Sequence, residues 1–418
     1  MIVDKSYFID GVDDVELGIK RESKLEYRVS YDDSKDIKAF VFLIGGFGAN
    51  ANMNFFDFDR KSVAKEHPVC VVQPLYHCFC ARIGVVEPYN PAIIPNAKDI
   101  ENLQNILQIC KIDARVDVEN YTKFFSLIDE RLQEFKEAGE LDANFMVHLG
   151  CDFVPKNGDY QNYGIMPALD IINVAKDASL KLPHFANLPK IYAGGSYGGY
   201  LAMLCAKIAP FYVDAVLDNS GVVLPFLGHI LGRETGVPEF IINGKHYVLA
   251  CFVKKFWTKD ENSPYYFSNA NYYARTLLNS KHLKTLATKC KKTIFVHYHS
   301  NLDDGAPVEQ KMELSQTLKN LGFDDTLHLI KDENDLDGRT IKSLEHGLRM
   351  SDKALCRREL PKILEKLQGR QTPMAEDSEI SYECEDKLFT FKDTRGGGGY
   401  AHDITNLIKN AKNIERQI

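Results

Sequence analysis

The stretch from Ile191 to Tyr200 constrains the fold of this chain more than any other. It reads Ile-Tyr-Ala-Gly-Gly-Ser-Tyr-Gly-Gly-Tyr, so an apolar run enters Gly-x-Ser-x-Gly and an apolar helical pattern follows. A strand, a tight glycine turn and a helix form the context that exposes a nucleophilic serine. Gly194 and Gly198 fit the turn because they lack side chains. A phosphate loop is the alternative, but its Gly-x-x-x-x-Gly-Lys and Gly-x-Gly-x-x-Gly patterns are missing here. We therefore predict that Ser196 is a nucleophile at the positive end of a helix.

Composition limits the class of protein. The 418 residues suit one large α/β domain with insertions or two domains, and 44% hydrophobic content is enough for a large core. The net charge of −7 argues against nucleic acid or an anionic membrane as the main partner. The ten cysteines form no compact disulfide pattern. We find no signal peptide over 1–14 and no apolar run of about 18 residues, so we expect a cytoplasmic protein without a membrane span.

An earlier glycine turn is the second local signal. The apolar run Ala39–Ile44 predicts a strand that is buried on both faces, and Gly45-Gly46-Phe47-Gly48 follows it. A glycine turn after an early strand is where enzymes with such a serine place half of the oxyanion hole. We expect the N–H of Tyr197 and one N–H from Gly46 or Phe47 to meet near the serine. The alternative is an ordinary turn that ends a strand.

Changes in composition and hydrophobic pattern divide the chain into five segments. Loose alternation over 1–36 predicts antiparallel strands that lead a sheet. The first part of the core, with the serine turn, covers 37–221, and the second part covers 291–367. Between them, 222–290 is aromatic and basic, which favours a cap inserted over the carboxyl ends of the strands; core helices with ordinary aromatic packing are the alternative. Residues 368–418 have fewer apolar side chains and form an appendage.

An acid and a base follow the serine in the order Ser, Asp, His. Asp303 comes after one predicted strand, and His346 comes in a loop after the next. In a triad, the serine attacks a carbonyl, the histidine takes and returns its proton, and the carboxylate orients the histidine. Asp304 is the main rival for the acid and Asp218 a more distant one. The alternative for His346 is a surface histidine at the start of a helix.

No metal site is predicted. His77-Cys78-Phe79-Cys80 does not have the spacing of zinc ligands, which come as Cys-x2–4-Cys pairs. His297 and His299 share one face of a predicted strand, but no third ligand lies near them in the sequence. We interpret these residues as loop, core or structural side chains and expect neither a metal nor a cofactor.

Three motifs carry a resemblance to a known superfamily. The serine turn resembles that of prolyl-oligopeptidase-type α/β-hydrolases, Asp303-x-x-Ala306-Pro307 resembles their Asp-x-x-Val-Pro, and Glu345-His346-Gly347 resembles their His-Gly. This implies an α/β-hydrolase fold, with a mostly parallel central sheet, helices on both faces and an inserted cap. It also favours Asp303 over Asp304. The turn at Gly45-Gly46 departs from the pattern because it lacks the histidine of the His-Gly-Gly oxyanion motif.

The chain as a whole resembles a family of uncharacterised α/β-hydrolase-like proteins of epsilonproteobacteria, whose members tend to be linked with flagellin or surface-sugar modification. The expected function is a serine hydrolase that forms an acyl-enzyme, namely an esterase or deacylase acting on an acylated small molecule or glycan. The alternatives are a peptidase for short peptides, an acyltransferase, and a non-catalytic binding protein with this fold. We expect Lys254, Lys255 and Lys259 of the cap to meet an acidic substrate group, unless they are only solvated surface.

Overall fold

A computed structural model describes residues 1–374, 377–394 and 399–407. The segment 368–418 is therefore described only in part. The strands in chain order are β1 (Ile2–Asp10), β2 (Lys24–Asp32), β3 (Ala39–Ile44), β4 (Val69–Leu75), β5 (Ala92–Ile94), β6 (Val147–Val154), β7 (Lys190–Gly195), β8 (Ala215–Asn219), β9 (Phe240–Asn243), β10 (Tyr247–Val253), β11 (Ile294–Ser300), β12 (Asp324–Ile330), β13 (Glu379–Cys384), β14 (Lys387–Asp393) and β15 (Tyr400–Asn406). The helices are α1 (Met53–Glu66), α2 (Ala97–Ile109), α3 (Phe125–Glu137), α4 (Ile165–Lys181), α5 (Tyr197–Ile208), α6 (Leu227–Leu231), α7 (Asn269–Arg275), α8 (Ser280–Lys289), α9 (Val308–Asn320) and α10 (Asp352–Lys366).

The central sheet has eight strands in the order β1-β2-β4-β3-β7-β8-β11-β12. β1 and β2 pair antiparallel, β2 pairs antiparallel with β4, and all later neighbours are parallel. Parallel neighbours bring the carboxyl ends of β3, β7, β8 and β11 to one edge of the sheet. This sheet, with the serine turn between β7 and α5, is an α/β-hydrolase fold, as the sequence predicts.

Both faces of the central sheet are covered. Successive side chains of β3 enter different cores. Phe40 and Phe42 belong to the core that contains residues of α4, α5 and α9, while Val41 and Leu43 belong to the core that contains residues of α1 and α10. Alternation of side chains across a strand explains this division. All six residues of β3 are buried, so its apolar run needs helices on both sides.

A smaller sheet in the order β5-β6-β10-β9 stands apart from the central one. β6 and β10 pair parallel, with Cys151 opposite Cys251, and α2 and α3 cover one face. The sequence predicts a single cap segment over 222–290, whereas this sheet also takes β5 and β6 from before the serine turn. The difference arises because strand pairing joins residues that are far apart in the chain, which no local pattern reveals.

Helix α4 is buried almost all round, whereas a helix on the face of a sheet usually buries one side only. The cause is the antiparallel sheet β13-β14-β15, which packs against it from the far side. Asn173 of α4 bonds both backbone groups of Tyr400, and Lys176 pairs with Asp393. No helix in the described part of the chain is long and apolar enough to cross a bilayer.

Candidate active site

Ser196 lies at the turn between β7 and α5 in a strained conformation, with φ 55° and ψ −122°. Such backbone angles are rare for a residue with a side chain and occur at functional turns. The turn packs directly against the end of β3. A Cβ on Gly194 would come within 2.5 Å of the Ile44 carbonyl oxygen, and one on Gly198 would overlap that same oxygen. Close approach of two backbones therefore requires both glycines.

The structure brings Ser196, His346 and Asp303 together. The Nε2 atom of His346 is 2.7 Å from the Ser196 Oγ. On the other side of the ring, Nδ1 is 2.8 Å from Asp303 Oδ1 and 3.0 Å from Oδ2. With Nδ1 protonated, Nε2 can accept the serine proton, which is the arrangement that general-base activation of a hydroxyl requires.

The environment of Asp303 favours its ionised form. Burial of the carboxyl acts to raise its pKa, but the hydrogen bond and charge of His346 and the Ala306 N–H outweigh burial and leave the pKa below 3.8. Its Oδ1 also accepts from the N–H groups of Gly305 (2.9 Å) and Ala306 (2.8 Å). The carboxylate is thus fixed as an acceptor for the histidine, as a triad acid must be.

Neither rival residue forms a hydrogen bond with the His346 ring. Asp304, next to Asp303, is exposed and lines the pocket at Ser196. Asp218 is fully buried and pairs with Lys311 and with His297, whose Nδ1 is 2.8 Å away. His297 is therefore part of a buried ionic network behind the site.

The first glycine turn lies beside the serine turn. The position of a Cβ on Gly46 is 3.5 Å from the Gly195 carbonyl oxygen, and the Phe47 ring packs edge-on against the Tyr197 ring at 5.6 Å. In the described part of the chain, the backbone N–H groups of Gly46, Phe47 and Tyr197 have no hydrogen-bond acceptor. Free donors are what an oxyanion hole offers. Their convergence on one point stays a prediction.

Asn219, at the end of β8, is a residue that sequence reasoning missed. Its carbonyl oxygen accepts from the Ser196 N–H at 2.7 Å. Its side-chain amide donates to the carbonyl oxygens of Gly347 (2.9 Å) and Met350 (3.2 Å), which belong to the loop that carries His346. One buried residue therefore ties the serine turn to the histidine loop. A polar residue that ends a strand next to the serine strand was the available signal.

The histidine loop is itself strained. Gly347, Leu348 and Arg349 follow His346 with φ values of 77°, 55° and 47°. Two of these three residues carry side chains that disfavour the left-handed region. The amide of Asn219 is one of the contacts that hold this loop in place.

A pocket of about 380 Å³ opens at Ser196. Its wall combines residues of the serine turn, the first glycine turn, the loop that follows β11 and the segment 222–290. The lining residues are Phe47, Tyr163, Ser196, Tyr197, Val222, Phe226, His229, Asp304, Gly305 and His346. The smaller sheet supports this wall, because Phe240 of β9 packs 5.6 Å from the Phe47 ring.

His229 of α6 gives this wall a neutral polar group. Its ring stacks on Phe47 with centroids 4.5 Å apart, and Phe226 meets it edge-on at 4.8 Å. Burial, and secondly the charge of Lys255, lower the pKa of His229 to about 4. The imidazole is therefore uncharged near neutral pH, with one nitrogen able to donate and the other to accept.

The cap lysines do not line this pocket. Lys254 and Lys255 face a separate cleft that they share with Arg233 and Phe252. Lys255 pairs with the buried carboxylate of Glu239, and Lys259 donates to the Glu234 carbonyl oxygen at 2.9 Å. The expectation that these lysines meet an acidic substrate group is therefore not met at this pocket, because the chain after β10 places Lys254 and Lys255 in the cleft and Lys259 beside Glu234.

A family model described as "Protein of unknown function (DUF2920)" matches residues 5–396. The chain belongs to this family. No curated protein matches the sequence of this DUF2920 member.

Solved structures similar to this DUF2920 protein are α/β-hydrolases of low identity. The acylaminoacyl peptidase of Pyrococcus horikoshii is 12% identical with a TM-score of 0.44, over 92% of this chain and 43% of that chain. Esterase Est22 is 10% identical with a TM-score of 0.43, over 88% of this chain and 80% of that chain. Brefeldin A esterase, a bacterial homologue of human hormone sensitive lipase, is 12% identical with a TM-score of 0.40, over 87% of this chain and 74% of that chain. The DUF2920 chain spans less than half the length of the peptidases among them.

Proposed function

We propose that this DUF2920 protein is a serine hydrolase in which Ser196 is the nucleophile, His346 the general base and acid, and Asp303 the carboxylate that orients the histidine. The observation that carries the proposal is the unbroken chain of contacts from Ser196 Oγ through the imidazole to Asp303, at 2.7 and 2.8 Å. Groups spaced in this way activate a hydroxyl for attack on a carbonyl carbon.

Acylation begins when Ser196 Oγ attacks the substrate carbonyl and its proton passes to His346 Nε2. The carbonyl π electrons move to oxygen, and we propose that the free N–H groups of Tyr197 and of Gly46 or Phe47 stabilise that oxyanion. Collapse of the tetrahedral intermediate breaks the bond to the leaving group, which takes the proton from the imidazolium. The product is an ester between the acyl group and Ser196.

Deacylation repeats these steps with water as the nucleophile. His346 takes the proton of the water, the water oxygen bonds to the acyl carbon, and Ser196 leaves with the proton that the imidazolium returns. Acid is released and the enzyme is restored. An alcohol or amine in place of water would make the same intermediate an acyltransferase.

The substrate in this proposal is an acylated small molecule or glycan, cleaved by esterase or deacylase chemistry. The aromatic lining of the pocket suits an acyl chain or the C–H face of a sugar ring. The resemblance to the epsilonproteobacterial family linked with surface-sugar modification favours an acylated sugar. The size of the pocket, about 380 Å³, suits part of a small substrate, so a peptidase would be confined to short peptides.

Labelling with a fluorophosphonate tests the nucleophile. The probe forms a covalent bond with a base-activated serine at neutral pH, so we expect one adduct per chain, located on Ser196 by mass spectrometry. Ser196→Ala should abolish the adduct. As a matched control, Ser6→Ala removes a hydroxyl from strand β1 and should leave labelling intact. An adduct on another serine, or none on folded protein, contradicts the proposal.

Turnover tests the other two residues. His346→Ala and Asp303→Asn should each lower the hydrolysis rate of a nitrophenyl ester by about 10⁴-fold, because the base or its correct tautomer is lost. A wild-type rate equal to that of Ser196→Ala on esters, acylated sugars and aminoacyl amides would instead favour a binding protein. Cleavage confined to the amides would favour the peptidase alternative.

A further inference from the structure

The pocket at Ser196 has one charged group that the proposed mechanism does not use. Asp304 lines the pocket, is exposed, and takes part in no hydrogen bond or ion pair within the described ranges. It sits one residue after the triad acid and directly before Gly305, which lies against the His346 ring. A free carboxylate beside the reacting groups attracts a cation and repels an anion.

The rest of the lining favours the same kind of ligand. The rings of Phe47, Tyr163, Tyr197 and Phe226 contribute to the wall. The faces of aromatic rings carry partial negative charge and bind ammonium or guanidinium groups. An apolar ligand would also suit these rings, but it would leave the Asp304 carboxylate without a partner.

No fixed positive charge in the described lining compensates Asp304. His229 is neutral near pH 7, since its pKa is lowered to about 4 by burial and by Lys255. Lys254 and Lys255 face the separate cleft, and Lys255 is also paired with Glu239. Next to His346, the exposed Arg349 is 3.0 Å from Glu345 and adds no net charge.

We propose that this pocket selects substrates whose acyl or leaving group carries an ammonium or guanidinium group, which the Asp304 carboxylate holds against the aromatic rings. The proposal rests on the serine hydrolase function proposed above and specifies its substrate class. It excludes sugar acids and other anionic acyl compounds as preferred substrates, and it admits amino-bearing sugars and cationic esters.

Three nitrophenyl esters test the proposal. Their acyl groups end in a trimethylammonium group, in the isosteric tert-butyl group, or in a carboxylate. We expect the highest kcat/KM for the cation and the lowest for the anion. In Asp304→Asn, the ratio of kcat/KM for the cationic ester to kcat/KM for the isosteric ester should fall about fivefold or more, as expected when a partly solvated ion pair is lost. This effect of the substitution should be smaller at high salt. Asp113→Asn, at an exposed acid outside the pocket, is the matched control.

Two results would overturn the proposal while the hydrolase function stands. One is a wild-type protein with equal kcat/KM for the isosteric and the cationic ester. The other is a cation-to-isostere ratio of kcat/KM that neither Asp304→Asn nor Asp113→Asn changes. Loss of hydrolysis on all three esters, with rates equal to Ser196→Ala, would instead refute the hydrolase function. Asp304→Lys adds an opposite check, because it should invert the order and favour the carboxylate ester.

A binding measurement tests the pocket without turnover. Calorimetry on Ser196→Ala should show that benzyltrimethylammonium binds more tightly than benzoate. Adding Asp304→Asn should weaken the binding of the cation about fivefold or more. The temperature of thermal unfolding should stay the same, because Asp304 is exposed. Absence of cation binding, or equal affinity for benzoate, would refute the proposal whatever the enzymatic activity.

Discussion

Replacing Asn219 by alanine tests whether the link between the serine turn and the histidine loop matters for catalysis. The substitution removes three hydrogen bonds: the amide group donates to the carbonyl oxygens of Gly347 (2.9 Å) and Met350 (3.2 Å), and Oδ1 accepts from the Ser220 hydroxyl (3.2 Å). The Gly347 oxygen keeps a second donor, the Met350 N–H at 2.9 Å. The backbone contact between Asn219 and Ser196 does not depend on the side chain, so the serine turn keeps its bond.

The structure sets the size of the effect. Losing these bonds should lower the free energy of unfolding by about 1–3 kcal/mol. The positive φ angles of Leu348 and Arg349 store roughly 2–6 kcal/mol of strain, which a released loop can relieve. Relaxation moves His346 away from its 2.7 Å contact with Ser196. A misplacement of about 1 Å costs on the order of 10²-fold in rate.

Asn173→Ala is the matched control, because Asn173 is also buried and also makes two bonds to a backbone, at Tyr400. Chemical unfolding should show similar losses of stability in both variants. Fluorophosphonate labelling and ester hydrolysis should slow by about 10²-fold in Asn219→Ala only. If both variants lose activity equally, or if Asn219→Ala keeps the wild-type labelling rate, the positioning role is refuted.

Two further predictions concern stability. Gly198→Ala should lower the free energy of unfolding by about 1–3 kcal/mol, because the new Cβ would overlap the Ile44 carbonyl oxygen. Gly195→Ala should cost less, because its Cβ would lie 3.7 Å from the nearest atom. Urea unfolding of the two variants measures the difference. The pKa of His229 is about 4 in the folded protein, against an ordinary 6.5 in the unfolded chain. Between these two values the unfolded chain binds a proton that the folded protein does not bind. The free energy of unfolding should therefore fall by about 2–3 kcal/mol as the pH drops from 7 to 4. His229→Phe should flatten this acid-induced loss of stability, measured as the unfolding midpoint between pH 7 and 4; an unchanged slope would contradict a neutral His229.

The sequence predicted the features that depend on local patterns. The apolar run of β3 indicates burial on both faces, and the structure buries all six residues. The Gly-x-Ser-x-Gly turn indicates a strand before it and a helix after it, and these are β7 and α5. The α/β-hydrolase fold is thereby confirmed. The catalytic roles of Ser196, Asp303 and His346 stay predictions, although their side chains lie in hydrogen-bond contact.

Features that depend on tertiary contacts escaped prediction. Asn219 looks like any polar strand end until the His346 loop is placed against it. The cap lysines stand among aromatic residues in the sequence, and only the folded chain shows that Lys255 pairs with Glu239 and does not line the pocket. Helix α4 carries enough polar residues to look amphipathic, and the sheet that covers it comes from a distant part of the chain.

The pairing of β6 with β10 has a consequence for how the chain folds. Cys151 and Cys251 lie opposite each other, and the segment between them includes β7, α5 and β8 of the serine turn region. Closing so long a loop costs entropy that few local contacts repay beforehand. We therefore expect the smaller sheet to form after the central strands have brought its two halves together. The pocket wall that Phe240 supports would then be the last part of the site to take shape, and amide exchange during refolding should protect β7 before β10.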